Sequence, residues 1–416
     1  MRGAAQQPHW LNWQDSHANF VAPGNDRWRA CPQPWSMKRS VDRVLTTHTG
    51  SFQRPEDLNR LIVDHVLGNE IDQDLFNRRA KEATAEIVAK QVECGLDVVS
   101  DGETAKPGYM EYAGERIDGF DEVIDGAGQF TFGDLEPFPE ILHRIYKDTH
   151  LMLPVCTGPL SYTDLSFVNR DIANFRSALD ATPATEGFIP AVSPGLLAMT
   201  APNRYYPNYE AYVLAVGEVL NTEYRAIADA GFVIQVDSPD LAFGADMKTW
   251  MHPLLQEVGF RRIQDIHVEG LNRALEGISP ESVRMHLCWA NYNGPHLADI
   301  PLREALEPAF RANAQGIGFE GANAAHAHEW EVFKDLKVPD GKVIIPGVID
   351  SKCEIVERPQ LVAQRIKTYA NLVGQENMIA GVDCGFGTFV NVLMVHPKIA
   401  WMKLDALVEG AQLASK

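Results

Sequence analysis

Eight short runs rich in apolar and β-branched residues recur along the chain, and longer stretches with apolar residues at every third or fourth position lie between them. The runs are VLTTHTG (44–50), DVVSDGE (97–103), LMLPVCTG (151–158), FVIQVDSP (232–239), VRMHLCWAN (283–291), GIGFEGA (316–322), KVIIPGVID (342–350) and MIAGVDCG (378–385). Strand-length runs alternating with amphipathic helices predict repeated βα units and a parallel sheet. The helical period is clearest over 76–94, 209–230 and 358–374. Eight units predict an α/β chain whose residues 41–416 form a single TIM-type (β/α)8 barrel. The excess over about 250 residues falls in βα insertions, the largest after the second and third strands. A doubly wound sheet is the competing architecture, but no Gly-rich fingerprint follows the first strand, where GSFQRP stands.

Residues 1–40 read as an irregular N-terminal extension. The first 36 carry Trp10, Trp13, Trp28 and Trp35, half of the eight tryptophans, without helical or strand period. They are either a docking arm or lid, or a stretch upstream of a natural start at Met37. The balance of 37 Lys plus Arg against 56 Asp plus Glu, net −19, has no basic block longer than a pair. That excludes the electrostatic footprint of a nucleic-acid or anionic-membrane partner. No apolar run approaches the 18 residues that a membrane span needs. Six sparse cysteines and the lack of a signal-peptide pattern point to the reducing cytoplasm, where cysteine near histidine reads as metal-binding or catalytic. Nothing in the pattern bears on oligomeric state.

In a βα barrel the C-terminal strand ends converge on one mouth. Here those ends carry Ser51, Glu103, Asp237, His286, Cys288, Glu320, Asp350 and Cys384. His286 and Cys288, two apart on a strand, face the same side. Cys288 to Glu320 is 32 residues and Glu320 to Cys384 is 64, close to one and two βα units, so all four sit at matching heights. One imidazole, two thiols and a carboxylate form a ligand set suited to zinc. The plainer reading makes Cys288 and Cys384 ordinary buried thiols. Asp101, Glu103 and Asp237 also allow a glycosidase pair, which leaves the four candidate ligands unexplained.

The segments TTHTGSFQRP, SDGETAKPGYMEY, QVDSPDLAF, HLCWANYNGPH, PGVIDSK and GVDCGFGTF, in this order, resemble the catalytic barrel of the cobalamin-independent methionine synthase family. The resemblance runs from about residue 42 to the C-terminus and implies zinc on the same four residues, His286, Cys288, Glu320 and Cys384. It implies that Ser51 receives an amino-acid carboxylate while Glu103 and Asp237 hold the ammonium group. It further implies methyl or other alkyl transfer to a zinc-activated small-molecule thiol, with a methylated folate or another methyl donor.

Three departures shape what to expect. Methionine synthase proper has a second, N-terminal barrel that helps bind folate, and this sequence shows none, which leaves the donor open. Where the family carries a histidine after the PGVYD-like turn, Lys352 stands, a group that either grips an anionic substrate or serves as a catalytic proton donor beside Asp237. Ser238 replaces the glutamate of an Asp-Glu-Pro turn, and Tyr162 is the nearest aromatic where a folate-stacking tryptophan is expected. The alternatives are therefore an epoxide-opening thiol alkyltransferase of the coenzyme M transferase type, a methyl-transferring demethylase, a metal-free barrel of the uroporphyrinogen decarboxylase type, and a non-catalytic zinc-storage protein. His326 and His328 enter a helical segment, where a spacing of two puts them on different faces and argues against a second metal. Trp330 and Trp401 read as packing residues. Cys94, Cys156 and Cys353 read as core or near-surface thiols, with Cys353 placed by Lys352 where it could be reactive.

Overall fold

The computed structural model describes residues 36–126, 131–146, 151–244, 247–388, 390 and 394–416. Trp10, Trp13, Trp28, Trp35 and Cys31 lie outside them. Six parallel strands form one curled sheet in the order Val98–Ser100, Glu186–Val192, Val233–Asp237, Val283–His286, Gly316–Phe319 and Val343–Pro346. Two extended segments close it into a ring. Residues 378–381 bridge the last strand through Ile344 and Gly347 and bridge the first segment through Thr46. On its other side that first segment accepts the Val98 N–H on the Thr46 carbonyl, at 3.1 Å. The fold is the expected TIM-type barrel, with eight parallel places.

One place is filled differently from the sequence reading. The third barrel strand is Glu186–Val192, not residues 151–158. Met152–Val155 instead pairs antiparallel with Glu122–Asp125 in a lobe inserted after the second strand. The run EGFIPAV contains Gly187 and Pro190, which demote a strand on sequence grounds. Pro190 is tolerated because Val98–Ser100 pairs only as far as Phe188, so no ladder bond is lost to the missing N–H. The helices over Gln73–Glu93, Tyr209–Asp229 and Pro359–Val373 lie where the 3.6 period puts them. Asp72 and Asn208 cap the first two by accepting the N–H of Leu75 and Ala211.

The barrel interior is layered. At its foot Met37, Leu45, Val98, Phe188, Val233, Val343, Ile345 and Ile379 form one buried cluster. Above it Arg284 lies over the Phe188 ring at 3.6 Å and donates to Gln235, Thr47 Oγ1 and the His48 carbonyl. Gly316 makes room for this: a Cβ there would stand 2.7 Å from the Arg284 Cβ and 3.0 Å from Met37 Cε. The next inward residues on the fourth and fifth strands are Asp237 and His286, paired in register. The cation layer thus carries the site.

The inserted lobe is pinned by a buried ion pair. Arg116 is fully buried, stacks on Tyr112 at 3.4 Å, donates to Tyr162 at 2.8 Å and pairs with Glu223 on the helix Tyr209–Asp229. Replacing Glu223 by leucine strands the guanidinium and should cost about 3–5 kcal/mol, read as a lower midpoint of thermal unfolding. Adding Arg116→Met should recover most of the loss; a single variant as stable as the parent would mean that other contacts pin the lobe.

Candidate metal and thiol site

The strand Val283–His286 ends at the mouth, and Cys288 follows two residues on, so both side chains face inward. From the eighth segment Cys384 approaches them, with 3.4 Å between the two sulfurs. The ligand atoms of His286, Cys288 and Cys384 all lie within 4.8 Å of one another, and all three residues are buried. The Nε2 of His286 is buried with no conventional hydrogen-bond partner. Such an orphan atom beside two thiols fits an ion: zinc bonds of about 2.0–2.3 Å in a tetrahedron put ligand atoms roughly 3.5–4 Å apart. Among the described residues this is the one group of that kind, so His326 and His328 make no second one.

The two thiols share a proton unequally. A hydrogen bond from Cys288, aided against burial by His286, pulls Cys384 down to about 5, while the same bond and burial push Cys288 well up. Burial works against the charged imidazole, but Cys384, joined by Asp237 and Glu320, outweighs it and raises the imidazole in turn. Among the described residues the other thiols are not activated. Burial, reinforced by Asp405, raises Cys94 to about 12; burial raises Cys156 to about 11; burial and Asp350 raise Cys353.

Glu320, the fourth residue of the spacing argument, stands beside this group but outside it. Its Oε2 takes a salt bridge from Lys352 at 2.7 Å and a hydrogen bond from Asn323 at 2.7 Å, and its Oε1 accepts the Trp289 N–H at 3.2 Å. Burial alone would raise the carboxyl, yet Lys352 holds it below its ordinary value. Lys352 is itself raised, Glu320 and the cysteines outweighing burial. Asp383, next to Cys384, accepts the backbone N–H groups of Gly321, Ala322 and Asn323 at 2.8–2.9 Å, which ties the turn after the sixth strand to the eighth. Gly385 allows the close approach of the first segment, since a Cβ there would lie 2.0 Å from Ser51 Oγ. Asn291 links the loops from the other side, donating to Gly385 O and Thr388 Oγ1 at 2.7 Å each.

Ser51, Glu103 and Asp237 line one cavity of about 190 Å³ together with His286, Cys288 and Cys384. The rest of its wall is largely apolar and includes Phe132, Leu151 and Leu153 from the inserted lobe. Among the polar members that sequence reasoning missed are Arg54 and Tyr109. Arg54 is fixed by the carbonyls of Glu103, Lys106 and Gly387, and Tyr109 donates its hydroxyl to Asp237. KPGY and QRP offered a signal only as parts of the family-like segments. Tyr162, by contrast, lies in the lobe against Arg116 and Glu223.

A family model for the cobalamin-independent synthase catalytic domain matches residues 44–131 and 195–406. The chain belongs to this family. Methionine synthase of Saccharolobus solfataricus is 24% identical over 375 residues, covering 88% of this chain and 94% of that protein. That of Thermococcus kodakarensis is 23% identical over 375 residues, with 89% and 93% covered. A B12-independent methionine synthase from Shewanella sp. W3-18-1, solved in complex with selenomethionine, superposes with a TM-score of 0.65 at 19% identity, covering 89% of this chain and 97% of that one. The stretch that the family model passes over, 132–194, contains part of the lobe and the third barrel strand.

Glu103 and Asp237 are both disfavoured as anions by burial, and Glu103 by the Asp237 charge as well. Burial first, then Asp237, raises Glu103 to about 8, and burial raises Asp237 to about 6. Glu103 also sits at φ +55 against Gly50, where a Cβ would come within 2.7 Å of its Oε1. An unfolded glutamate ionises near 4.5, whereas native Glu103 keeps its proton up to about 8. The group therefore subtracts stability as pH rises through that window, and the loss is complete above it. Glu103→Gln should melt at the parent's temperature near pH 4 and progressively above it up to pH 8. A difference independent of pH would contradict the assigned burial.

Proposed function

We propose that this protein transfers a methyl or another small alkyl group to the sulfur of a small-molecule thiol, at zinc held by His286, Cys288 and Cys384. The observation that carries this is the pair of buried sulfurs 3.4 Å apart with an unpartnered imidazole nitrogen beside them, at the mouth of a barrel of this family. The donor set is borderline to soft, which suits zinc over magnesium or calcium. Zinc at these ligands supplies the charge that keeps a bound thiol ionised near neutral pH.

The chain's own residues do the rest. Ser51 and its backbone neighbours would take a carboxylate of the acceptor. Glu103 and Asp237, each disfavoured as a lone buried anion, would gain from a cationic ammonium between them. Asp237 is oriented by Gln235 Nε2 at 2.8 Å and by Tyr109, and the fields of His286, Glu320, Lys352 and Asp237 all reach the cysteines. The lobe's apolar wall excludes water from the reacting sulfur. A sulfur–carbon bond forms as the donor's carbon–heteroatom bond breaks with its electron pair leaving on the heteroatom. The proton lost by the thiol balances the one that the departing group takes.

The methionine synthases among the relatives support a methyl donor and a homocysteine-like acceptor for this chain. Methylated folate, an epoxide, and reversal toward demethylation remain donor assignments to be separated by assay, and the family match gives no support to the decarboxylase or glycosidase readings. No helix among the described residues is long and apolar enough to cross a membrane.

Purified protein should hold about one zinc per chain that survives dialysis and yields to strong chelators. X-ray absorption at the zinc edge should gain a sulfur neighbour with the matching thiol among homocysteine, coenzyme M, glutathione and cysteine. Metal-free protein whose Cys288 and Cys384 are freely alkylated would defeat the proposal. Cys384→Ser should lose zinc and turnover while its circular dichroism matches the parent; global unfolding would instead make the cluster structural.

A further inference from the structure

The cavity wall holds one cation that the proposed chemistry does not use. Arg54 is the only lysine or arginine among the described residues that line the cavity. It is partly exposed, while its Nε is buried and without a partner. Its terminal nitrogens reach backbone carbonyls. Nη1 donates to Gly387 O at 3.1 Å, and Nη2 donates to Glu103 O at 3.0 Å and to Lys106 O at 2.7 Å. A guanidinium carries five N–H donors, so these three bonds leave two unspent, and the acceptors that hold it are carbonyls rather than carboxylates.

Elsewhere in the fold a buried guanidinium is satisfied by the protein itself. Arg116 pairs with Glu223, and Arg284 bonds through Nε and both terminal nitrogens while it lies on the Phe188 ring. At Arg54 burial works against the charge, and the fields of Glu103, Asp101 and Tyr109 offset that cost only in part. Glu103 keeps its own proton up to about 8, so near neutral pH it does not neutralise the guanidinium. A cation with spare donors in a largely apolar wall lacks its counter-charge. The loops place this cation outward of Ser51. Following the eighth segment away from Cys384, Gly385 lies against Ser51, since a Cβ there would stand 2.0 Å from Ser51 Oγ. Gly387 lies against the next residue of the first loop, where a Cβ would stand 2.3 Å from the Phe52 carbonyl, and its own carbonyl holds Arg54. A group bound to Arg54 is therefore further along the cavity from the sulfurs than one bound to Ser51.

We infer that Arg54 is a specificity-determining residue that receives an oxyanion, a carboxylate or a sulfonate, carried by a substrate at the end remote from the reacting sulfur. The inference rests on the transfer reaction proposed above and adds a second anion seat beyond that of Ser51. The three carbonyls fix the guanidinium before a substrate arrives, so binding costs little side-chain freedom. Bonds from a charged donor to an oxyanion are the strong kind, and an apolar surround strengthens them further. The oxyanion belongs to the acceptor thiol or to the alkyl donor. A reaction between an uncharged thiol and an uncharged epoxide would leave Arg54 unpaired.

The test is calorimetric affinity for two pairs of probes whose members differ in charge alone. Mercaptobutyrate against its amide reads the acceptor, and monoglutamyl methylated folate against its diamide reads the donor. The parent should prefer the acid by about tenfold or more in one pair, the size of a hydrogen bond to a charged group, and that pair names the source. Arg54→Gln should cut this preference to within about twofold while it binds the amide as the parent does. A residue that merely staples the loops would, when replaced, weaken acid and amide alike. Should Arg54→Gln fail to fold, Arg54→Lys carries the test. An ammonium has three donors, which cannot serve three carbonyls and an oxyanion together, so the preference should fall there too. The inference is overturned if the parent prefers the acid in neither pair, if the preference survives unchanged in the variants, or if Arg54→Gln weakens both members equally. A parent without zinc overturns the metal reading instead, and the comparison of acid with amide, which needs no metal, still decides the role of Arg54.

Discussion

Two sulfurs and an imidazole nitrogen crowded into one buried corner set the terms for the rest of this molecule. Each group would be better solvated apart, so something must force them together, and the barrel does so with parts whose roles are individually visible. The strand period delivers His286 and Cys288 on one side of the fifth strand. Gly385 lets the eighth segment press against Ser51, and Asp383 locks that segment to the turn carrying Glu320. Beneath them, Arg284 and Gln235 fill the barrel with hydrogen bonds that an apolar layer could not extend upward to Asp237. The cluster is a property of the closed ring, assembled from residues 96 positions apart in the chain.

The inserted lobe serves the same corner from above. It contributes Phe132, Leu151 and Leu153 to the cavity wall, and Phe132 stacks on Tyr292 at 5.2 Å, which joins the lobe to the loop bearing His296. Removing water raises the cost of every unpaired charge inside. The upward shifts of Glu103 and Asp237 are that cost, and they make the cavity receptive to a cation.

What could be read from the chain before its structure follows the same physics. Strand ends and helical faces obey short periods, so the barrel, the inward His286 and Cys288, and their alignment with Glu320 and Cys384 were legible from spacing. Glu186–Val192 was not, because Gly187 and Pro190 break the pattern that marks a strand, and their tolerance depends on where a neighbouring strand stops. Lys352 of the PGVIDSK turn lies 3.4 Å from His296, which comes from a different loop and has a left-handed backbone. Loop residues have no period, so neither His296 nor Asp299 left a trace that spacing could detect. His326 reads only as part of a helical segment, and its bond to Asp299 left no trace in the spacing.

The central claim is that a zinc ion belongs between Cys288, Cys384 and His286. It is tested most directly by anomalous diffraction from crystals of the zinc-loaded protein, with data collected on both sides of the zinc absorption edge. The account requires a single strong peak bonded to the two sulfurs and to Nε2 of His286, on the cavity side of the barrel. A peak held by other residues, or a Cys288–Cys384 disulfide with no peak near it, would contradict the account.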